Sequence, residues 1–207
     1  MRRFSFRPSL TLRGRKFKGP RGWAGKPLHP PLTAIPVGAY ALAAAFDVIS
    51  YVGREQEWAR DFYRAATFAL VGGAILSVFT ILTGFWDWLR STERGTQARR
   101  TANAHAITML MVSALVFTGI IVRLVAYDGD THTPVFALVL SVAGTLLVGI
   151  GGTIGGSLTY DYGFNVETAG DHPVWHKSER DVLPGEKHGE VSSPDAEAAV
   201  EELSSHL

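Results

Sequence analysis

The 207-residue sequence predicts an all-α membrane protein, a bundle of four transmembrane helices with both termini in the cytoplasm. Four long apolar runs predict the helices, since about 20 residues at 1.5 Å per residue cross a hydrocarbon core of ~30 Å. Few charges lie within these runs, and no polar stripe marks them as helices of a soluble bundle. The predicted helices cover residues 32–52, 65–89, 102–127 and 134–160.

Basic residues predict the orientation of these helices. Residues 1–27 contain nine Lys and Arg and no acid, and the second loop adds Arg90, Arg94, Arg99 and Arg100. The first loop has two arginines among three acids, and the third loop has no basic residue. Since cytoplasmic loops are enriched in Lys and Arg, both termini and the second loop are expected on the cytoplasmic side. This pattern indicates a multi-pass protein of the bacterial cytoplasmic (inner) membrane.

The chain divides into three parts by composition. Residues 1–27 form a basic segment, residues 28–163 the transmembrane domain, and residues 164–207 an acidic tail that we expect to be mostly disordered. The basic segment is expected to bind anionic lipids of the inner leaflet, at about 1 kcal/mol per Lys or Arg. No folded nucleic-acid-binding module accompanies the positive charge, so we expect no nucleic-acid partner.

The absence of cysteine excludes several kinds of chemistry. A disulfide, a thiolate zinc site, an iron–sulphur cluster, a covalent c-type haem and a thiol nucleophile all require Cys. The sequence also shows no nucleophile–base arrangement, which favours a non-enzymatic protein.

Three ionisable residues are predicted to share the inner membrane face. His29 lies at the start of the first helix, Asp87 at the inner end of the second, and His105 near the start of the third. Ionisable groups at membrane depth are costly and usually mark a site. Two imidazoles can ligate a b-type haem axially, and two imidazoles with a carboxylate can form a metal-binding triad. The structural alternative is that each side chain is merely hydrogen-bonded, with His29 capping its helix or bonding Asp87.

Glycines gather at the inner end of the fourth helix. Gly151/Gly155 and Gly152/Gly156 form two overlapping small-xxx-small pairs, which allow helices to approach closely in lipid. Close approach to a flat cofactor is the alternative interpretation.

Charged residues also lie towards the outer ends of the helices. Asp47, Arg64 and Arg123 fall at similar depth by residue count, which predicts a structural ion pair of Asp47 with Arg123 or Arg64.

Five parts of the chain carry a resemblance to a known family: residues 23–38, 84–90, the neighbourhood of His105, Arg123, and residues 151–163. They resemble a family of bacterial predicted membrane proteins catalogued as domain of unknown function 2231. The resemblance implies a four-helix membrane domain with no assigned activity. Some members are fused to Rieske iron–sulphur domains, which implies a redox partner. Because this chain has no Cys, a redox role would need a haem, a quinone or a partner subunit.

Three functional hypotheses follow. The first is an accessory or interaction subunit of the membrane, without catalysis and with a redox or other membrane protein as partner. The second is a b-type haem protein that transfers electrons, with His29 and His105 as ligands. The third is a small-solute or metal-handling protein built on His29, Asp87 and His105. The sequence leaves the oligomeric state open.

Overall fold

Four helices form the structure, a computed structural model that describes residues 19–20 and 27–164. They are α1 (His29–Val52), α2 (Ala59–Ser91), α3 (Gln97–Val125) and α4 (Val135–Tyr160). All four are long and apolar enough to cross a membrane, which confirms the predicted all-α membrane fold. The basic segment and the acidic tail lie outside the described residues, except at positions 19–20, 27 and 164.

The helices differ from their predicted bounds chiefly at their starts. α1 begins at His29 because Pro30 and Pro31 fit a first turn, whose N–H groups need no partner within the helix. α3 begins at Gln97, where the hydroxyl of Thr96 accepts a hydrogen bond from the N–H of Arg99 at 3.1 Å. Polar helix ends of this kind extend beyond the apolar run, so hydropathy alone places them too late.

Two antiparallel hairpins, α1–α2 and α3–α4, make up the bundle. Each hairpin packs along its length, and the hairpins meet where α1 contacts α4 and α2 contacts α3. In the described chain, α1 and α3 lie on one diagonal of the bundle and α2 and α4 on the other, without direct helix packing across either diagonal. The end of the bundle where α1 and α3 begin is the histidine end, and the opposite end is the ion-pair end.

The bundle exposes its large apolar side chains and buries small ones. Only 22–28% of the most apolar 18-residue window of each helix is buried, so most of these side chains face the surroundings. Lipid is the environment that such a surface requires, since a soluble bundle would turn these residues inward. Small core residues let the helices approach closely. The buried core consists of Tyr40, Ala43, Ala66, Leu70, Ala74, Val112, Val116 and Val148.

The turn between α2 and α3 is held by an arginine and a tryptophan. The guanidinium of Arg99 lies 3.6 Å from the ring centre of Trp88 and donates a hydrogen bond of 2.8 Å to the Trp88 carbonyl. The indole N–H of Trp88 donates to the Asn103 side chain at 2.6 Å. These contacts fix the start of α3 against the end of α2.

A buried ion pair joins the two hairpins near the ion-pair end. Arg123 Nη2 donates to Asp47 Oδ2 at 2.5 Å, and the two side chains are 1% and 0% exposed. Arg64 is exposed, so the structure selects Arg123 as the partner of Asp47. The pair crosses the bundle from α1 to α3, the diagonal along which the helices themselves do not pack.

Further polar groups complete the surroundings of this ion pair. The Thr133 hydroxyl donates to Asp47 Oδ1 at 2.9 Å, and the Tyr63 ring lies 5.1 Å from the Arg123 guanidinium. The Thr133 N–H donates to the Ser50 hydroxyl at 2.9 Å. A charge removed from water is tolerated when it is paired and hydrogen-bonded, and residues of α1, α3 and the α3–α4 loop supply these partners to the ion pair. Arg123 Nε is the one nitrogen of this guanidinium without a hydrogen-bond partner among the described residues.

Removing either member of the ion pair should strongly destabilise the bundle. Asp47→Ala or Arg123→Ala leaves the other charge buried without a partner, which costs about 3–5 kcal/mol. The matched control Arg64→Ala removes an exposed arginine and should change stability by no more than about 0.5 kcal/mol. Denaturant titration in detergent micelles measures the free energy of unfolding, and the double variant should lose less than the sum of the two single losses. Equal losses for Arg64→Ala and Arg123→Ala would contradict this assignment.

Candidate functional site

Two histidine rings meet at the centre of the histidine end. His29 is the first residue of α1, and His105 lies in the third turn of α3. Their ring centres are 6.5 Å apart, and the ring planes are inclined at 83°. Because α1 and α3 are diagonal to each other, this approach brings the two hairpins together across the interior of the bundle.

Each imidazole is held by a backbone carbonyl of the other helix in its own hairpin. His29 Nδ1 lies 2.9 Å from the Thr80 carbonyl oxygen on α2, and His105 Nδ1 lies 2.8 Å from that of Gly151 on α4. A carbonyl oxygen can only accept a hydrogen bond, so Nδ1 is the protonated nitrogen in both rings. In the neutral imidazole this leaves the lone pair on Nε2.

A glycine one turn beyond each carbonyl makes room for the ring. A Cβ at Gly84 would lie 2.6 Å from His29 Cε1, and a Cβ at Gly155 would lie 2.9 Å from His105 Cε1. Residues four apart lie above one another on a helix, so a side chain at either position would cover the carbonyl that the imidazole binds. The absent side chains at these two positions are therefore part of the site.

The hydrogen bonds of the two rings resemble those of metal-binding histidines in one respect. Nδ1 of each ring is oriented by a carbonyl, and no described residue hydrogen-bonds to either Nε2. Histidines that ligate metals usually donate their other ring N–H in this way, which fixes the tautomer and the ring orientation. His29 and His105 are therefore the residues that would hold a metal or haem at this end of the bundle.

Asp87 forms no described hydrogen bond or ion pair with the two histidines. Its side chain is buried at 3% exposure, and Oδ1 has no hydrogen-bond partner among the described residues. The described residues contain no group of three His, Asp or Glu side chains placed to hold a metal. The structure thus brings the two imidazoles together without joining the carboxylate to them.

The two predicted glycine pairs of α4 face different environments. Gly151 and Gly155 face α3, where Met109 and His105 pack against them. Gly152 has open space beside it and lines an outward groove on α4 together with Gly149 and Gly156. Only the first pair therefore serves close helix approach within the bundle.

Sequence reasoning missed the carbonyl of Thr80 and the role of Gly84. Both lie in the interior of α2, where backbone carbonyls are expected to be satisfied within the helix and carry no residue-type signal. Gly84 was a detectable signal, because a glycine within a helix is costly and calls for a packing reason.

Comparison with known proteins identifies one family. The family model described as a predicted membrane protein, DUF2231, matches residues 25–168. That range includes all four helices and both histidines. Neither the curated proteins nor the solved structures contain a match to this chain.

Adding a methyl group beneath either ring should displace it. Gly84→Ala and Gly155→Ala each place a Cβ within 3 Å of an imidazole carbon, and overpacking of this kind costs about 1–3 kcal/mol. Gly72→Ala and Gly152→Ala are the matched controls, since nothing lies within 4 Å of either Cβ position. Thermal unfolding in detergent should show a lower midpoint for the first two variants and an unchanged or higher midpoint for the controls. Indistinguishable midpoints for all four would refute the close ring–glycine contact.

Proposed function

We propose that this chain, which belongs to the DUF2231 family of predicted membrane proteins, binds haem b between His29 and His105 and transfers electrons as a non-enzymatic subunit. The observation that carries the proposal is the matched pair of imidazoles at the histidine end. Both rings are held through Nδ1 by a carbonyl, and both retain Nε2 as the nitrogen able to bind a metal.

The position of the pair suits a cofactor shared by two hairpins. The ring centres lie 6.5 Å apart across the two hairpins, so His29 and His105 would hold a cofactor bound between them. Gly84 and Gly155 let the two imidazoles lie against the backbones of α2 and α4, which fixes the position of both rings. Bis-imidazole ligation leaves no open coordination position, so a bound haem would supply reversible one-electron transfer rather than oxygen activation.

The protein's contribution to such a centre is orientation and exclusion of water. The carbonyls of Thr80 and Gly151 hold the two rings in one tautomer before any ligand arrives. The apolar helices limit access of water, which affects the reduction potential of a bound iron centre. The described residues offer no three-ligand metal site, which favours haem over metal handling by His29, Asp87 and His105.

Absorbance spectroscopy tests the proposal directly. Protein expressed with ample haem and purified in detergent should show a Soret band and a reduced-minus-oxidised difference spectrum of a six-coordinate b-type haem. His29→Ala and His105→Ala should each abolish this spectrum, because each removes one of the two side chains that would hold the haem. His132→Ala is the matched control and should retain it, since His132 follows α3 at the opposite end of the bundle.

Two outcomes would overturn haem binding. A preparation of the unaltered protein without a Soret band would exclude it, provided that folding is confirmed by cooperative thermal unfolding. Stoichiometric copper or zinc in metal analysis of the same preparation, lost in His29→Ala, would instead assign the pair to a bare metal ion. Persistence of the haem spectrum in both histidine variants would place the haem elsewhere.

We also propose that the histidine end faces the cytoplasm of a bacterial cell and that residues 1–27 contact anionic lipids there. The chain has no Cys, so a single introduced Cys reports its own accessibility. Arg94→Cys lies in the α2–α3 turn, and Thr131→Cys lies in the α3–α4 loop at the other end. A membrane-impermeant maleimide added to intact spheroplasts should label position 131 and leave position 94 unlabelled until the membrane is broken. The reverse pattern would invert the proposed orientation.

A further inference from the structure

We infer that the bundle consists of two equivalent hairpins, α1–α2 and α3–α4, related by an approximate two-fold axis that runs along the bundle between His29 and His105. The inference rests on corresponding positions in the two hairpins and does not depend on any bound cofactor. Its consequence for the histidine site deepens the proposed function and rests on it.

Helices α1 and α3 correspond with a constant shift in residue number. From position 29 to position 105 the shift is 76, and the same shift of 76 leads from Asp47 to Arg123. Four residues of α3 that follow His105 are buried. Under this shift, each of them corresponds to a buried residue of α1. The buried pairs are Pro36 with Val112, Tyr40 with Val116, Ala43 with Gly119, and Asp47 with Arg123.

Helices α2 and α4 correspond in the same way with a shift of 71, as from position 80 to position 151. All six buried residues of α4 fall on buried residues of α2. One of these buried pairs is glycine in both helices, and the same shift also relates Gly84 to Gly155. The buried pairs are Ala66 with Ala137, Leu70 with Ser141, Gly73 with Gly144, Ser77 with Val148, Thr80 with Gly151, and Asp87 with Leu158.

The difference between the two shifts has a local explanation. α4 begins at Val135, which corresponds to Arg64, whereas α2 begins earlier at Ala59. The first hairpin therefore carries extra residues at the start of its second helix, at the ion-pair end. Beyond this insertion, the register of α2 and α4 is continuous to their ends at the histidine end.

Contacts repeat as well as positions. His29 binds the carbonyl of Thr80 and lies on Gly84, and His105 binds the carbonyl of Gly151 and lies on Gly155. A Cβ at Gly73 would contact Ala39, and a Cβ at Gly144 would lie 4.0 Å from Leu115, which corresponds to Ala39. Matching burial alone does not require these ring and glycine contacts to repeat. The contacts therefore support the equivalence of the two hairpins independently of the burial pattern.

The packing of the hairpins is also that of a two-fold arrangement. A rotation that exchanges α1 with α3 and α2 with α4 also exchanges the α1–α4 interface with the α2–α3 interface, and both interfaces are present. Residues near the axis then face their own equivalents. His29 meets His105, and Asp47 meets Arg123, which explains why the ion pair forms between these two residues at the same depth.

For the proposed haem site, the symmetry makes His29 and His105 equivalent ligands on opposite sides of the axis. A cofactor there would be bound by two chemically equal nitrogens, and loss of either histidine should reduce haem binding to the same extent. The equivalence ends at Asp87, which has Leu158 as its counterpart. Asp87 is thus a buried polar group that distinguishes one side of the site from the other.

Distance measurements between spin labels test the two-fold relation without reference to haem. The unaltered chain has no Cys, so paired cysteine substitutions give one defined distance each. Suitable positions are exposed on the outer surface and correspond to each other in the two hairpins. Val48 corresponds to Leu124, and Ile75 corresponds to Leu146. The labelled pairs are 48/75 and 124/146 within the hairpins, and 48/146 and 124/75 between them.

Pulsed electron paramagnetic resonance on the purified full chain should give matching distance distributions within each set. Agreement in both sets supports the two equivalent hairpins. A difference larger than one helical turn, about 5.4 Å, between 48/146 and 124/75 would overturn the two-fold axis. The same difference between 48/75 and 124/146 would overturn the equivalence of the hairpins themselves. A preparation without haem that still gives matched distances would leave this inference intact while rejecting the proposed function.

Discussion

Hydrocarbon offers no hydrogen-bond partner, and this constraint determines where most buried polar groups of the described bundle lie. Asp47 and Arg123 satisfy each other's charge in the interior, with Thr133 bound to the remaining carboxylate oxygen. Most hydroxyl groups within the described helices bond to carbonyls of their own helix, as Ser77 does to Ala74 at 2.8 Å. The histidines follow the same rule by using carbonyls of a neighbouring helix. Groups satisfied in this way have few alternative positions, which gives the two imidazoles a fixed geometry without a ligand.

Length and hydropathy were sufficient to predict the four helices, because each apolar run exceeds the thickness of the membrane core. The helix ends were less predictable, since Gln97 and Ala59 lie in polar segments whose helical structure depends on caps and neighbouring turns. The convergence of His29 and His105 on one membrane face followed from topology. Their separation, and the choice of Arg123 over Arg64, depend on helix rotation, which neither hydropathy nor charge specifies.

The internal repeat was hidden for a related reason. Selection on a membrane helix acts on whether a position is buried, small or lipid-facing, and many apolar residues satisfy the same requirement. Tyr40 and Val116 occupy corresponding buried positions without any chemical likeness. Gly84 and Gly155 are identical because no other residue leaves space for an imidazole there. The amino-acid sequences of the two hairpins are therefore most similar where a side chain packs directly on the backbone of a neighbouring helix. They are least similar where side chains only fill the core.

The even number of crossings in each hairpin bears on how such a protein could arise. A unit that crosses the membrane twice ends on the side from which it began, so a tandem copy enters in the same orientation as the original. The distribution of Lys and Arg among the loops need not change, because the loop that joins the two copies lies on the same side of the membrane as the start of the first copy. A gene encoding one hairpin could therefore have formed a homodimer with the same central pair of histidines, and fusion of two such genes would have preserved it. After such a fusion, corresponding positions would be free to diverge separately. This would permit an oppositely charged pair such as Asp47 and Arg123 on an axis where a homodimer would place two identical residues.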